Sequence, residues 1–192
     1  MGRSIPLVCI VGMLLSACAG PDPSPLNTLA ERSFATANGD SIRLGELLHG
    51  TATLFITMSP DCPMCLNYAG YFAELGTQEA PLAVGVLPTG FIPRDSAVAF
   101  ARLHGITMPL LLDPDCELVK ALGARVTPEV FLLDSLGRSV YQGAIDDWPV
   151  RAGRKKLKAT RHYLKDALAA YASGEGGVVK DVTAVGCVLE CD

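Results

Sequence analysis

Two cysteines, Cys62 and Cys65, stand two residues apart in the stretch SPDCPMCLNYA, directly after the apolar run TATLFITM. Cysteines at this spacing occur in four kinds of site: a redox dithiol, half of a metal site, a peroxide-reducing centre and a structural disulfide. The apolar run has the composition of a strand that is buried on both faces. After Cys65 the apolar residues recur at helical spacing, so we expect the pair at a junction between a strand and a helix.

The expected position of Cys62 favours the redox dithiol. A cysteine attacks a disulfide as its thiolate, and the free N–H groups and positive dipole end of a helix N-terminus stabilise that anion. Pro63 suits the first helical turn, because its missing N–H would have no partner there. Cys65, nearly one turn deeper, would close a disulfide with Cys62 and release a bound substrate. Asp61 is a like charge that should raise the pKa of Cys62, which leaves the direction of electron flow open.

The segments around this pair predict an α/β domain. Asn38-Gly39 predicts a tight hairpin near its amino end, and strands and helices then alternate. A second hairpin is predicted in TPEVFLLDSLGRSVYQGAI, and KKLKATRHYLKDALAAYA predicts a closing amphipathic helix before a cysteine-containing tail. This order matches a thioredoxin-like fold with an N-terminal β-hairpin and a C-terminal amphipathic helix plus tail.

A proline marks a second part of the expected site. Thr127-Pro128 opens a predicted buried strand, where a proline is normally costly. In thioredoxin-like folds a cis-proline lies opposite the cysteine pair, and the residue before it offers backbone groups to substrate. The chain position of Thr127 and Pro128 therefore predicts substrate-binding roles for both. Pro63, between the two cysteines, is assigned to the same substrate-binding group. An ordinary trans proline at a strand start is the alternative.

The stretches CPMCLNYAGYFAEL, LGARVTPEVFLLDSLGRSVYQGAIDD and TAVGCVLE resemble the peroxiredoxin-like redoxin group of bacterial thioredoxin-fold lipoproteins, over residues 33–189. The resemblance implies thiol-based redox chemistry in the cell envelope, with no organic cofactor and no defined substrate. True peroxiredoxins have a proline and a hydroxyl residue ahead of a reactive cysteine that corresponds to Cys65. Met58 and Cys62 occupy those two positions here, which counts against efficient peroxide reduction.

Five cysteines follow the amino-terminal segment, so at least one is expected to stay unpaired. Cys187 and Cys191 have three interpretations: a disulfide within the tail, a second redox dithiol that relays electrons to Cys62 and Cys65, or Cu(I) ligands. Cys116 lies between two acidic residues that disfavour its thiolate, so we expect it to take no part. The three histidines have no ligand-like spacing, and no metal ligands are assigned.

The amino terminus predicts an exported, lipid-anchored protein. Residues 1–17 have the basic start and short apolar run of a secretory signal, and LSAC resembles a bacterial lipobox, which makes Cys18 the lipidated first mature residue. A plain signal peptide that happens to contain a cysteine is the alternative. Residues 18–32, rich in proline, are then a flexible tether, followed by a redoxin domain (33–173) and a tail (174–192). Ala19 resembles the outer-membrane sorting pattern, so the expected location is the periplasmic face of the outer membrane.

The functional hypothesis is an envelope-tethered thiol–disulfide oxidoreductase with Cys62 as the nucleophile and Cys65 as the resolving cysteine. Its expected partners are protein or small-molecule thiols and disulfides, and a partner dithiol that cycles it. The net charge of −4 and the lack of a basic, aromatic-rich surface give no case for nucleic acid. A copper-binding thioredoxin-fold protein and an atypical thiol peroxidase are the alternatives.

Overall fold

The structure is a computed structural model that describes residues 25–50, 52–88, 90, 92–151, 154–174 and 181–191. The predicted signal peptide, the predicted lipidation site Cys18 and the tether up to residue 24 lie outside the described residues. Within the described ranges, no helix is both long and apolar enough to cross a membrane.

After a helical turn and a small hairpin, strands and helices alternate along the chain. The strands, in chain order, are β1 (Ser33–Ala35), β2 (Ser41–Arg43), β3 (Thr53–Thr57), β4 (Leu82–Leu87), β5 (Leu110–Leu112), β6 (Val126–Thr127), β7 (Val130–Leu133), β8 (Ser139–Gly143), β9 (Pro149–Arg151), β10 (Arg154–Lys155) and β11 (Cys187–Val188). The helices are α1 (Pro25–Thr28), α2 (Leu44–Leu48), α3 (Pro63–Leu75), α4 (Arg94–His104), α5 (Glu117–Leu122) and α6 (Tyr163–Ala172).

A mixed five-stranded sheet with the order β5-β4-β3-β7-β8 forms the centre of the fold. β3, β4 and β5 are parallel to one another, whereas β7 is antiparallel to both β3 and β8. All five residues of β3 are buried, as expected for its apolar run with neighbours on both sides. The arrangement confirms the α/β thioredoxin-like fold predicted from the sequence.

Apolar side chains cover both faces of this sheet. On one face Ile56 belongs to a cluster that includes Phe72 of α3 and Leu164 of α6. On the other face Phe55 clusters with Leu118 of α5. Consecutive residues of a strand point to opposite faces, so β3 contributes to both clusters, and each such buried side chain stabilises the fold by about 1.5–3 kcal/mol. The two layers fix the end of β3, where the cysteine pair follows.

The domain begins before residue 33, which corrects the predicted extent of the tether. Leu26 of α1 is buried and packs in the cluster that contains Leu118. The Arg32 side chain donates a 2.7 Å hydrogen bond to Glu117, and the N–H of Gly45 donates to the carbonyl of Ala30. Residues 25–32 are therefore part of the domain. The prediction rested on proline content, which gave no weight to the apolar side chains of Leu26 and Leu29 that anchor the segment.

The closing helix is shorter than the sequence pattern predicts, because it begins at Tyr163 and not at Lys155. The Asp147 carboxylate accepts hydrogen bonds from the Lys156 side chain and from the N–H groups of Thr160 and Arg161. Hydrogen bonds from Lys156 and Thr160 hold the pKa of Asp147 well below its usual range. These contacts keep the segment before Tyr163 in a loop, where the N–H groups bind Asp147 and do not continue a helix.

Candidate active site

Cys62 lies at the junction that the sequence predicts. β3 ends at Thr57, α3 begins at Pro63, and Cys62 is the N-cap residue of that helix. Pro63 occupies the first helical turn, where a missing N–H leaves no hydrogen bond unmade. The remaining free N–H groups of the first turn and the helix dipole favour a negative charge at the sulfur of Cys62.

The disulfide of Cys62 is formed with Cys187, which is 125 residues away in sequence. Cys65 is a free, buried thiol, so the pairing of Cys62 with Cys65 expected from their spacing is corrected by the structure. The reason is the path of the tail: β11 pairs with β6 as an antiparallel strand, with Cys187 opposite Thr127. That register places the sulfur of Cys187 within bonding distance of the sulfur of Cys62.

Cys65 is held as a neutral thiol by its surroundings. Its sulfur lies 3.0 Å from the hydroxyl oxygen of Thr127, and that hydroxyl already donates its proton to the carbonyl of Thr57. The Cys65 thiol must therefore donate to Thr127, while it accepts a 3.4 Å hydrogen bond from the N–H of Ser59. Burial raises the pKa of Cys65 to about 11. The side chain is consequently a weak nucleophile at neutral pH, which disfavours the resolving role predicted for it.

Thr127 contacts all three cysteines of the site. Its carbonyl oxygen lies 3.2 Å from the sulfur of Cys62, its hydroxyl meets Cys65, and it is paired with Cys187 across the two strands. The peptide bond between Thr127 and Pro128 is cis. The structure thus brings together the predicted residues Cys62, Cys65, Thr127 and Pro128, and it places Cys187, but not Cys191, among them.

The tail is attached to the domain at two further places. The N–H of Ala144, directly after β8, donates a 2.8 Å hydrogen bond to the carbonyl of Val182. Gly143 has a φ of +132°, and a Cβ built on it would lie 1.9 Å from the Val182 oxygen, so this contact requires glycine. Beyond β11, a disulfide joins Cys191 to Cys116 at the start of α5.

This second disulfide corrects the predictions for the remaining cysteines. Cys191 is bonded to Cys116, so there is neither a disulfide within the tail nor a second dithiol formed by Cys187 and Cys191. Cys116, for which the acidic neighbours predicted no part, forms a structural disulfide with Cys191. Four residues along an extended segment span about 13 Å, well beyond the Cα separation that a disulfide tolerates. The extended path of the tail therefore sends the two cysteines to different partners.

A groove and a hydrogen-bonded carboxylate lie outside the cysteine site. A groove of about 800 Å³ lies between α3 and α6 and contains no cysteine. At its edge the Tyr68 hydroxyl donates to Asp146, which also accepts the N–H of Trp148, so Asp146 has a structural role. In the part of the chain that the structure describes, no group of three or more His, Cys, Asp or Glu side chains could hold a metal ion. The copper alternative therefore gains no support from these residues.

An oxidoreductase of the thioredoxin fold is the class that this fold and this cysteine site define. The chain belongs to the redoxin family, which matches residues 22–152. A crystal structure of a hypothetical protein from Sinorhizobium meliloti 1021 is 26% identical and superposes with a TM-score of 0.71, covering 85% of this chain and 92% of that one. A conserved, uncharacterized protein from Geobacillus kaustophilus is 22% identical, with a TM-score of 0.69 and coverages of 81% and 86%.

A third structure similar to this chain is that of a secreted Mycobacterium tuberculosis disulfide oxidoreductase homologous to Escherichia coli DsbE. It is 14% identical, with a TM-score of 0.55, and the match covers 77% of this chain and 98% of that one. At this identity the similarity shows the fold alone. Comparison with curated proteins gave no significant match.

The raised pKa of Cys65 predicts an unusual pH dependence of its alkylation. In the folded protein, we expect the rate of reaction of Cys65 with iodoacetamide to rise about tenfold for each pH unit up to about pH 11, because only the thiolate reacts. A time course followed by mass spectrometry at several pH values measures this. Because burial slows access equally at every pH, the slope reports ionisation. A plateau near the ordinary thiol pKa, as expected in denaturant, would contradict the arrangement.

Proposed function

We propose that this protein is a thiol–disulfide oxidoreductase in which Cys62 exchanges its disulfide between Cys187 and an external partner. The observation that carries the proposal is the Cys62–Cys187 disulfide at the N-terminus of α3, directly beside the buried thiol of Cys65. Cys62 is the sulfur that the helix terminus favours as a thiolate, and Cys187 is the sulfur that reaches it. Cys65 keeps its proton throughout the cycle.

The two cysteines of this disulfide differ in exposure, which favours Cys187 as the residue at which reduction begins. Cys62 is buried, with 3% of its surface exposed, whereas Cys187 is partly exposed. A thiolate of the partner dithiol therefore attacks the sulfur of Cys187. The bond between Cys62 and Cys187 breaks, and Cys62 leaves with the electron pair as a thiolate at the helix N-terminus. A stabilised leaving thiolate speeds this exchange.

The remaining steps complete a two-electron transfer. The partner's second thiolate attacks the partner's first sulfur, which is bonded to Cys187 in the mixed disulfide. Cys187 is expelled and takes up a proton. The site then holds Cys62 as a thiolate and Cys65 and Cys187 as thiols, and the partner holds a disulfide. In the opposite half of the cycle, the Cys62 thiolate attacks one sulfur of a substrate disulfide, and the other substrate sulfur leaves as a thiolate and takes up a proton. The Cys187 thiol then loses its proton, attacks Cys62 and expels the bound substrate sulfur, which completes the reduction of the substrate. The partner's potential relative to that of the Cys62–Cys187 pair sets the direction.

We further propose that the protein acts in the cell envelope, anchored through a lipid on Cys18. Two disulfides in one small domain are typical of an oxidising compartment. The lipobox-like LSAC motif and the proline-rich segment after it support attachment by a short tether. The secreted Mycobacterium tuberculosis oxidoreductase of the same fold is compatible with this location. A partner dithiol in the same compartment would cycle the protein.

The alternative of a thiol peroxidase has less support. Its reactive cysteine would be Cys62 or Cys65. Cys62 is held in a disulfide with Cys187, and Cys65 is fully buried, with a pKa raised to about 11 by that burial. A peroxidatic cysteine must reach peroxide as a thiolate. Cys65 meets neither condition in this structure.

The proposal is tested by replacing Cys62 with serine. We expect Cys62→Ser to lower the rate at which the reduced protein cleaves a peptide disulfide by at least about 100-fold, because the attacking thiolate is lost. The rate is measured from thiol release, with folding checked by circular dichroism. The control is the double variant Cys116→Ser/Cys191→Ser, which removes the disulfide that takes no part in the exchange and should retain most of the rate. Cleavage by Cys62→Ser at the wild-type rate would overturn the proposal.

A further inference from the structure

The tail crosses β6 so closely that only glycine fits at position 186. A Cβ built on Gly186 would lie 2.4 Å from the carbonyl oxygen of Thr127 and 2.8 Å from its carbonyl carbon. Cβ atoms do not approach backbone atoms at such distances, so an alanine here would force one of the two strands to move. The requirement comes from the approach of the two backbones, directly before the cysteine that reacts.

Thr127 is not free to move away from a larger residue. It is buried, and its hydroxyl is bonded to the carbonyl of Thr57 and to the thiol of Cys65. Its carbonyl oxygen also lies 3.2 Å from the sulfur of Cys62. A shift of Thr127 would therefore disturb its contacts with Thr57, Cys65 and Cys62. The requirement for glycine at position 186 is thus imposed by the cysteine site and not only by the path of the tail.

The other contacts of the tail in this region are ones that many sequences could make. β11 is held by main-chain pairing with β6, and the N–H of Leu189 donates a 3.0 Å hydrogen bond to the carbonyl of Arg125. Any extended segment can make such main-chain bonds with an exposed strand edge. The side chain of Val188, directly after the reacting cysteine, is 77% exposed. The site thus restricts the residue before the cysteine and leaves the residue after it open.

We propose that exchange at Cys62 selects extended polypeptide segments in which a glycine directly precedes the reacting cysteine. This inference rests on the proposed function, and residues 185–189 are the chain's own segment of this kind. An external segment takes the place of β11 on β6 once the bond between Cys62 and Cys187 is reduced. The Cys62 thiolate then attacks the segment's cysteine sulfur, the new Cys62–segment bond forms, and the former partner sulfur leaves with the electron pair.

Synthetic peptides test this preference on the reduced Cys187→Ser variant, in which Cys62 has no covalent partner in the tail. The probe is the peptide TAVGCVLE, with its cysteine joined to thionitrobenzoate, whose release is followed by absorbance. One comparison peptide has alanine in place of glycine before the cysteine, and a matched control has alanine in place of the valine after it. The disulfide of glutathione with thionitrobenzoate represents a small substrate. Reaction of all four with denatured protein corrects for intrinsic reactivity.

We expect the glycine peptide to react at least about tenfold faster than the alanine-before-cysteine peptide and the glutathione disulfide, a ratio equivalent to about 1.4 kcal/mol. The alanine-after-cysteine control should match the glycine peptide within about twofold. Equal rates for all four reagents would overturn the selectivity and leave the proposed function standing. Failure of Cys62 to react with any of them in the folded variant, but not in denaturant, would overturn both.

A second variant tests the same restriction within the intact chain. In Gly186→Ala, the equilibrium constant for forming the Cys62–Cys187 disulfide in glutathione buffers should fall at least about tenfold, because the alanine Cβ cannot approach Thr127 as closely as glycine does. Gly70→Ala is the matched control: Gly70 lies on α3, and a Cβ there meets nothing within 4 Å. An unchanged disulfide equilibrium in Gly186→Ala would overturn the proposal.

Discussion

Replacing Cys187 with serine should abolish the two-electron couple of Cys62, whereas replacing Cys65 with serine should leave it in place. In the structure Cys62 is bonded to Cys187, and Cys65 is a buried thiol with a pKa raised to about 11 by burial. To bond Cys62, Cys65 would have to give up its proton and its contact with Thr127. We therefore expect no reversible Cys62–Cys65 couple in Cys187→Ser under the conditions in which the wild-type bond forms.

The measurement is a titration of each purified variant in glutathione redox buffers, with the masses of trapped, alkylated protein as the readout. Wild type and Cys65→Ser should lose and regain two thiols in one reversible transition at closely similar potentials. Cys187→Ser should show in its place a mixed disulfide of Cys62 with glutathione. If Cys65→Ser lost the transition and Cys187→Ser kept it at the wild-type potential, Cys65 would be the partner of Cys62 and this account would be wrong.

The second large effect is expected from Gly143→Ala, which should detach the tail at Val182, five residues before Cys187. The new Cβ would lie 1.9 Å from the carbonyl oxygen of Val182, in a backbone conformation with a φ of +132° that disfavours side chains. Overpacking against a backbone atom costs about 1–3 kcal/mol, and the positive φ adds about 1–3 kcal/mol more. We expect a lower free energy of unfolding in denaturant and faster alkylation of Cys62 after mild reduction.

Gly50→Ala separates the two costs. Gly50 also has a positive φ, of +104°, but a Cβ there would meet nothing within 4 Å. It should therefore show the conformational cost alone and leave the alkylation of Cys62 unchanged. If both variants lost the same free energy of unfolding and protected Cys62 equally, the contact between Gly143 and Val182 would contribute nothing to holding the tail.

Much of the site can be predicted from local sequence. An apolar run, a cysteine and a proline at the start of a helical pattern predict the junction at Cys62 and Pro63 because each residue type suits its local position. Thr127-Pro128 could be selected for a similar reason, since a proline at the start of a buried strand is unusual. The fold follows from the order of these elements: β3 and α3 lie where the pattern predicts them, whereas α6 begins eight residues later than its pattern predicts.

The pairing of the cysteines could not be predicted in this way. Spacing favours Cys62 with Cys65 and Cys187 with Cys191, but disulfide connectivity depends on which segments meet in space. The path of the tail is set by contacts across long sequence separations, such as that between Gly143 and Val182. The glycine directly before Cys187 was the available signal, because glycine marks places where two backbones approach closely. The sequence alone does not show which other backbone segment this glycine approaches.

The most direct test of the central claim is to map the disulfides of the oxidised wild-type protein. Free thiols are alkylated in denaturant without reduction, and the protein is digested and analysed by mass spectrometry. We expect a peptide containing Cys62 linked to one containing Cys187, with Cys65 alkylated. A linkage between Cys62 and Cys65, with Cys187 alkylated, would contradict it.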